Sequence, residues 1–172
     1  MRLFFGFSLG IGEALALDDW RQHNTHCDGN AVPVANFHIT LAFIGEMSEN
    51  RLEALIDRAD GLLEGTQTHK AELPINSVGY WPKPGVFWVG PDQWPEEMSR
   101  LAASLKHLAM QFGARKDRSP FQPHITLFRR CQAAPAAPAV PPCMTVQPTA
   151  VTLFESRQGR QGVSYHSLAD WA

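Results

Sequence analysis

No apolar run in the chain reaches the length that a bilayer-crossing helix requires, so no membrane span is expected. Neither a glycine-rich phosphate loop nor a G-x-S-x-G elbow is present, which argues against an ATP-dependent ligase and against a serine hydrolase. Cysteine is scarce. Cys27, Cys131 and Cys143 are an odd number at wide spacing, which suits free thiols in a reducing cytoplasm better than a disulfide framework. Charge of one sign is lacking too: the formal net charge is −2, so the molecule has no overall field to hold long nucleic acid, and phosphate recognition has to be local. After Leu3-Phe4-Phe5-Gly6-Phe7 there is no A-x-A cleavage site, and the stretch reads as a buried strand rather than as a signal peptide.

What remains is globular. With 172 residues, 44% of them hydrophobic and 19% charged, the chain is long enough for one compact core or two small lobes sharing one, and a single domain over residues 1–172 is expected. Strands are expected at Leu3 to Ser8, Phe37 to Ile44, His69 to Gly79, Val86 to Val89, the HITL run at His124 and the run that resumes after Pro142. A last strand is expected at Gly162 to Trp171, after a turn at Gly159 to Gly162. Helices are expected at Glu13 to His23, after a Ser48 cap with the stripe Leu52, Leu55, Ile56, Leu62 and Leu63, and along Met98, Leu101, Leu105, Leu108 and Phe112. Gly65 and Gly113 should lie just past the last two. The Ala/Pro-rich segment from Cys131 to Pro142 can be neither helix nor central strand and reads as a connector. Strands mixed with helices, and hairpins that demand antiparallel pairs, make the class α+β.

One tetrapeptide occurs twice. His-Ile-Thr-Leu stands at His38 and again at His124, half a chain length apart. In an extended strand, residues two apart share a face, so His38 projects with Thr40 and His124 with Thr126, while Ile39, Leu41, Ile125 and Leu127 anchor the other face. A single strand histidine is usually a packing or surface residue. Packing explains the pair badly, because it asks for volume and apolarity and not for His and Thr in the same order twice. Two imidazoles that titrate near pH 6.5, with two hydroxyls beside them, supply what metal-free phosphodiester cleavage needs: a base, an acid and donors to the phosphate. The second copy lies in a locally basic stretch with Arg115, Lys116, Arg118, Arg129 and Arg130, which is expected to depress His124 into its neutral form and leave His38 the more readily charged.

With RLFFGF, NFHITLAFIGE, GYWPKPGVFWVG, RSPFQPHITLFRR and FES…YHSLADW, nearly the whole chain resembles the two-histidine phosphoesterase superfamily. Within it, the chain is similar to the RNA 2',3'-cyclic phosphodiesterases, also named 2'-5' RNA ligases. The resemblance implies two pseudo-symmetric α+β lobes, with antiparallel sheets flanked by helices around a central cleft. It implies RNA ends or nucleotides carrying a 2',3'-cyclic phosphate as substrate and a 2'-phosphate as product, and it leaves reversible 2'-5' ligation open. By motif, His38 and His124 are the implied catalytic residues, and Thr40, Thr126 and Arg129 the implied phosphate-binding ones. Strict alternation sends Phe128, not Arg129, to the His124 face; Arg129 arrives there only if the strand ends or bulges, and Arg130 is the substitute.

Among Phe7, Trp81, Phe87, Trp88, Phe121 and Phe128, which could stack on a base, Phe128 is preferred for that alternation. His23, His26 and Cys27 match no common zinc spacing, so no metal and no cofactor is expected; His69, His107 and His166 are isolated. The expected molecule is a cytoplasmic monomer. Two alternatives stay open: a two-histidine enzyme acting on 2'-5' linkages or small cyclic nucleotides, and a non-catalytic RNA-end binding protein.

Overall fold

The computed structural model describes residues 1–66 and 71–172. In chain order the elements are β1 (Arg2–Ser8), α1 (Ile11–Asn24), β2 (Asn30–Ala31), β3 (His38–Glu46), α2 (Leu52–Leu63), β4 (Leu73–Ile75), β5 (Ser77–Trp81), β6 (Val86–Gly90), α3 (Glu96–Gln111), β7 (Ile125–Arg129), β8 (Met144–Val146), β9 (Val151–Gly159) and β10 (Gly162–Trp171). The α+β reading holds. One mixed-length antiparallel sheet runs β10-β9-β1-β3-β7-β6-β5, β2 adds to β7, and β4 pairs with β8 in a separate ribbon.

Alternation along β1 puts Leu3, Phe5 and Phe7 on the helix-covered face, where they are fully buried with Leu17 of α1, Ile39 and Leu41 of β3, Ile125 of β7, and Met98 and Leu105 of α3. Burial of this many large side chains, at ~1.5–3 kcal/mol each, is the main source of stability. Phe4 and Gly6 point the other way, to the open face. The helices cover one side of the sheet and leave the other uncovered by helix.

Several expectations are corrected. The strand expected over His69 to Gly79 is two: β4 and β5 part at Asn76, whose backbone N–H donates to the Gly90 carbonyl oxygen and whose side chain bonds Asp92. His69 itself lies outside the described residues. Likewise the run after Pro142 divides into β8 and β9 on either side of Pro148, which has no N–H to give a ladder. Ser48 does not cap with its side chain; it precedes a 3-10 turn over Glu49–Arg51 that feeds α2 at Leu52. Leu62, at the margin of the α2 stripe set by Leu55, Ala59 and Leu63, is 38% exposed. The connector from Cys131 to Pro142 is neither helix nor strand, as expected.

Candidate active site

β3 and β7 lie side by side at the middle of the sheet, and the residue pair that joins them is Ile39 and Ile125. These are the same letter of the two tetrapeptides. Equivalent residues facing each other across an antiparallel pair define a local twofold axis, so the two motifs are related by rotation about that contact. Carrying the register one residue either way sets His38 against Thr126 and His124 against Thr40. Opposed residues share a face, and both isoleucines are fully buried on the other one. All four polar side chains therefore converge on the open face.

Each motif strand also bulges at its leucine. Against β1, Thr40 pairs with Gly6 and Ala42 with Phe5, so Leu41 is extra. Against β6, Thr126 pairs with Trp88 and Phe128 with Phe87, so Leu127 is extra. A bulge inserts one residue and reverses the alternation beyond it. In consequence Arg129, three residues after Thr126, returns to the histidine face. Phe128 goes the other way, which corrects the expectation that it shares a face with His124: its ring stacks on Phe87 at 6.0 Å and lies under the Arg21 guanidinium at 5.6 Å. β7 ends at Arg129, and Arg130 adopts a left-handed backbone, φ 57°, that turns the chain away.

The bulge on β7 has a dedicated support. Arg21 of α1, only 7% exposed, donates from Nη1 to the carbonyl oxygens of Val32 (2.7 Å) and Leu127 (2.9 Å) and from Nη2 to Asp18 (2.7 Å). The Val32 N–H donates to the same Leu127 oxygen at 2.8 Å.

Both histidines are held alike. His38 Nδ1 is 2.8 Å from the carbonyl oxygen of Asn36, and His124 Nδ1 is 2.8 Å from that of Gln122. A carbonyl can only accept, so Nδ1 carries the hydrogen in each ring, and Nε2 is left for chemistry. His38 Nε2 lies 2.9 Å from the Thr40 hydroxyl, which donates to it while the ring is neutral. Burial pushes His38 down to about 4, the Arg129 and His124 charges push the same way, and the Asn36 carbonyl opposes them. Burial also lowers His124, with Arg129 acting in the same direction and the Gln122 carbonyl against it. Both rings are neutral at pH 7 in the free protein. The expected contrast between a depressed His124 and a charged His38 is therefore corrected: Arg129 bears on both rings, and burial, the larger cause, lowers both in the same direction.

That burial is aromatic. Phe4 and Tyr165 each lie 4.9 Å from the His38 ring, with Phe154 at 6.3 Å. Trp81 lies edge-on to His124 at 4.6 Å and Trp88 at 6.0 Å. The Trp88 indole occupies the place where a Cβ on Gly79 would be, so only glycine lets it lie flat against β5. Of the other expected stacking candidates, Phe7 and Phe87 are core residues, and Phe121 packs on Trp94.

One aromatic that the sequence reading passed over is Phe43. It is the β3 counterpart of Arg129, three residues after Thr40 and past the Leu41 bulge. It pairs with Phe4 on the histidine face, 6.0 Å from that ring, and is 66% exposed. Its equal offset from Thr40 was the available signal.

Comparison with known proteins identifies the family. The family model for the 2'-5' RNA ligase superfamily matches residues 11–157. The chain belongs to the 2'-5' RNA ligase superfamily. Among its relatives in that superfamily, the RNA 2',3'-cyclic phosphodiesterase of Escherichia coli strain K12 is 32% identical over 99% of this chain and 96% of its own length. That of Aeropyrum pernix is 28% identical over 92% and 93%. Among solved structures, Escherichia coli LigT complexed with 3'-AMP superposes with a TM-score of 0.84 at 33% identity, covering 99% of this chain and 97% of that one. A Thermus thermophilus protein, TT0787, gives 0.79 at 26% identity over 99% and 97%.

Proposed function

We propose that the protein hydrolyses 2',3'-cyclic phosphates on RNA ends or nucleotides to 2'-phosphates, with His38 and His124 as its acid and base. The observation that carries this reading is the twofold-related pair of imidazoles, each with Nδ1 fixed on a backbone carbonyl and Nε2 left for proton transfer. His124 Nε2 takes a proton from water as the water oxygen bonds to phosphorus. His38 Nε2 gives a proton to the 3' oxygen as the P–O3' bond breaks. His38 acquires that proton when the anionic phosphodiester sits against it and raises its affinity for the charge. Thr40 and Thr126 donate to non-bridging oxygens, and Arg129 offsets the charge that builds on phosphorus.

The exposed ring of Phe43 stacks on the base. Stacking tolerates any base, which fits an enzyme that reads an end rather than a sequence. The reaction is metal-independent in this scheme. Among the described residues, neither histidine belongs to a group of ligand-bearing side chains close enough to share an ion. In this reading a monomer meets the substrate in the cytoplasm. Separately, no described helix is long and apolar enough to cross a membrane.

Phosphorus NMR decides the matter. Adenosine 2',3'-cyclic phosphate and a cyclic-phosphate-ended oligonucleotide should both give the 2'-phosphate, with turnover unaltered by EDTA. A 3'-phosphate product, turnover only of 2'-5' adenylate, or loss of activity on chelation with recovery on adding zinc would each overturn the scheme.

A further inference from the structure

Cys27 and Cys131 stand 104 residues apart in the chain, yet their sulfurs are in contact at 2.7 Å. The loop carrying Cys27 reaches β7 because Gly29 packs on the Arg129 carbonyl and on Cys131 Sγ, leaving no room for a Cβ. Asn30 then pairs with Arg129, and the Gln132 N–H donates to Asp28 at 3.0 Å. Cys131 is in turn held by its own N–H on the Gly85 carbonyl oxygen, 2.9 Å. Both sulfurs are thus fixed from two sides, two residues beyond the arginine at the site.

We propose that Cys27 and Cys131 form a reversible disulfide that clasps the end of the strand carrying Arg129. The sulfurs need to close only to about 2.05 Å, a smaller movement than a shared metal would require. Two thiolates on one tetrahedral zinc ion stand about 3.7 Å apart, so these would have to separate. The oxidant is a low-molecular-weight disulfide such as oxidised glutathione.

Cys27 is the half-buried, accessible partner, with the Gly29 N–H donating to its sulfur at 3.3 Å, so an oxidant reaches it first. Burial, with Cys27 beside it, pushes the Cys131 thiol up to about 12, so it is the slower nucleophile. The Cys27 thiolate attacks one sulfur of the oxidant, forms a mixed disulfide and expels one glutathione thiolate. Cys131 gives its proton to that thiolate or to solvent and attacks the Cys27 sulfur. The protein disulfide forms as the second glutathione thiolate leaves. Two protein thiols are oxidised, and one glutathione disulfide is reduced to two thiols.

The test needs no substrate and so is independent of the proposed activity. The full chain is incubated with oxidised glutathione, its free thiols are counted under denaturing alkylation, and its peptides are mapped without reductant. Three free thiols should fall to one, with the Cys27 and Cys131 peptides linked. The thermal midpoint should rise by roughly 10 °C, because a loop on the order of 100 residues is closed. Dithiothreitol should reverse both changes. Cys143→Ser should still lose two thiols, and Cys27→Ser should form no link and show no rise. A glutathione adduct that persists on Cys27 while Cys131 stays free would overturn the proposal. So would thiols blocked before oxidation and released by a chelator instead of a reductant.

Discussion

The guanidinium of Arg21 holds the carbonyl oxygen of Leu127 at 2.9 Å, and so grips from behind the one residue whose extra presence turns Arg129 toward the histidines. Arg21→Lys keeps a cation but has a single nitrogen, so it cannot hold the two carbonyls from one nitrogen and Asp18 from another as the guanidinium does. It should lower kcat by roughly 10-fold to 10²-fold, the scale of a small misplacement of a positioning group, while the protein stays folded. A folded Arg21→Lys enzyme with unchanged kcat would show that the bulge holds without its support.

The two histidines should prove unequal once the leaving group is changed. His38→Ala and His124→Ala should each lose roughly 10²-fold to 10⁴-fold on a cyclic phosphate. A substrate whose 3' leaving group needs no proton should partly restore His38→Ala and leave His124→Ala inactive. Restoration of His124→Ala instead would exchange their roles.

Acid should weaken the fold before it damages anything else. His38 binds its proton at about 4 in the folded state, against an ordinary 6.5 when unfolded, so between those values the unfolded chain holds more protons. Stability from this group is full above pH 6.5 and falls as pH drops toward 4, by about 1–3 kcal/mol for His38. Urea midpoints at pH 7.5 and pH 5 check this, and His38→Gln should flatten the difference. In kinetics, the bell for kcat/KM, set by the free enzyme, should lie to the acid side of the bell for kcat, where bound phosphate raises both histidines. Coincident bells would mean that burial does not govern these rings.

Phe43→Ala should raise KM about 10-fold with little effect on kcat or on stability, since the ring is largely in water before substrate arrives. Phe43→Tyr should restore it. A ribose cyclic phosphate without a base should be indifferent to both changes, and equal sensitivity would remove Phe43 from base recognition.

His38, Thr40, His124 and Thr126 could be read from the sequence because two-residue alternation is a local rule that the motif itself obeys. The face of Phe128 and Arg129 could not. Whether Leu127 is extra depends on how β6 pairs at Phe87 and Trp88, and nothing in β7 alone records that register. Phe43 was hidden by its surroundings: among Ala42, Ile44 and other apolar residues it reads as core, and only the Leu41 bulge turns it outward. The protonation of His38 was misread because its largest cause is the wall of Phe4, Phe154 and Tyr165, brought from strands remote in sequence. The strand breaks at Asn76 and Pro148 were missed because the residues on both sides alternate well enough to suggest continuity.

The axis through Ile39 and Ile125 gives the cleft two interchangeable directions of approach, yet a nucleotide has a head and a tail. Two His-Thr pairs cannot tell these apart. The decision falls to the residue three places past each threonine, aromatic at 43 and cationic at 129. Under the proposed function those two positions act as a compass: one end of the groove is marked for the base and the other for the phosphate. With Phe43→Arg and Arg129→Phe exchanged together, the same cleft should accept its ligand turned end for end, and His38 and His124 should trade duties without either having moved.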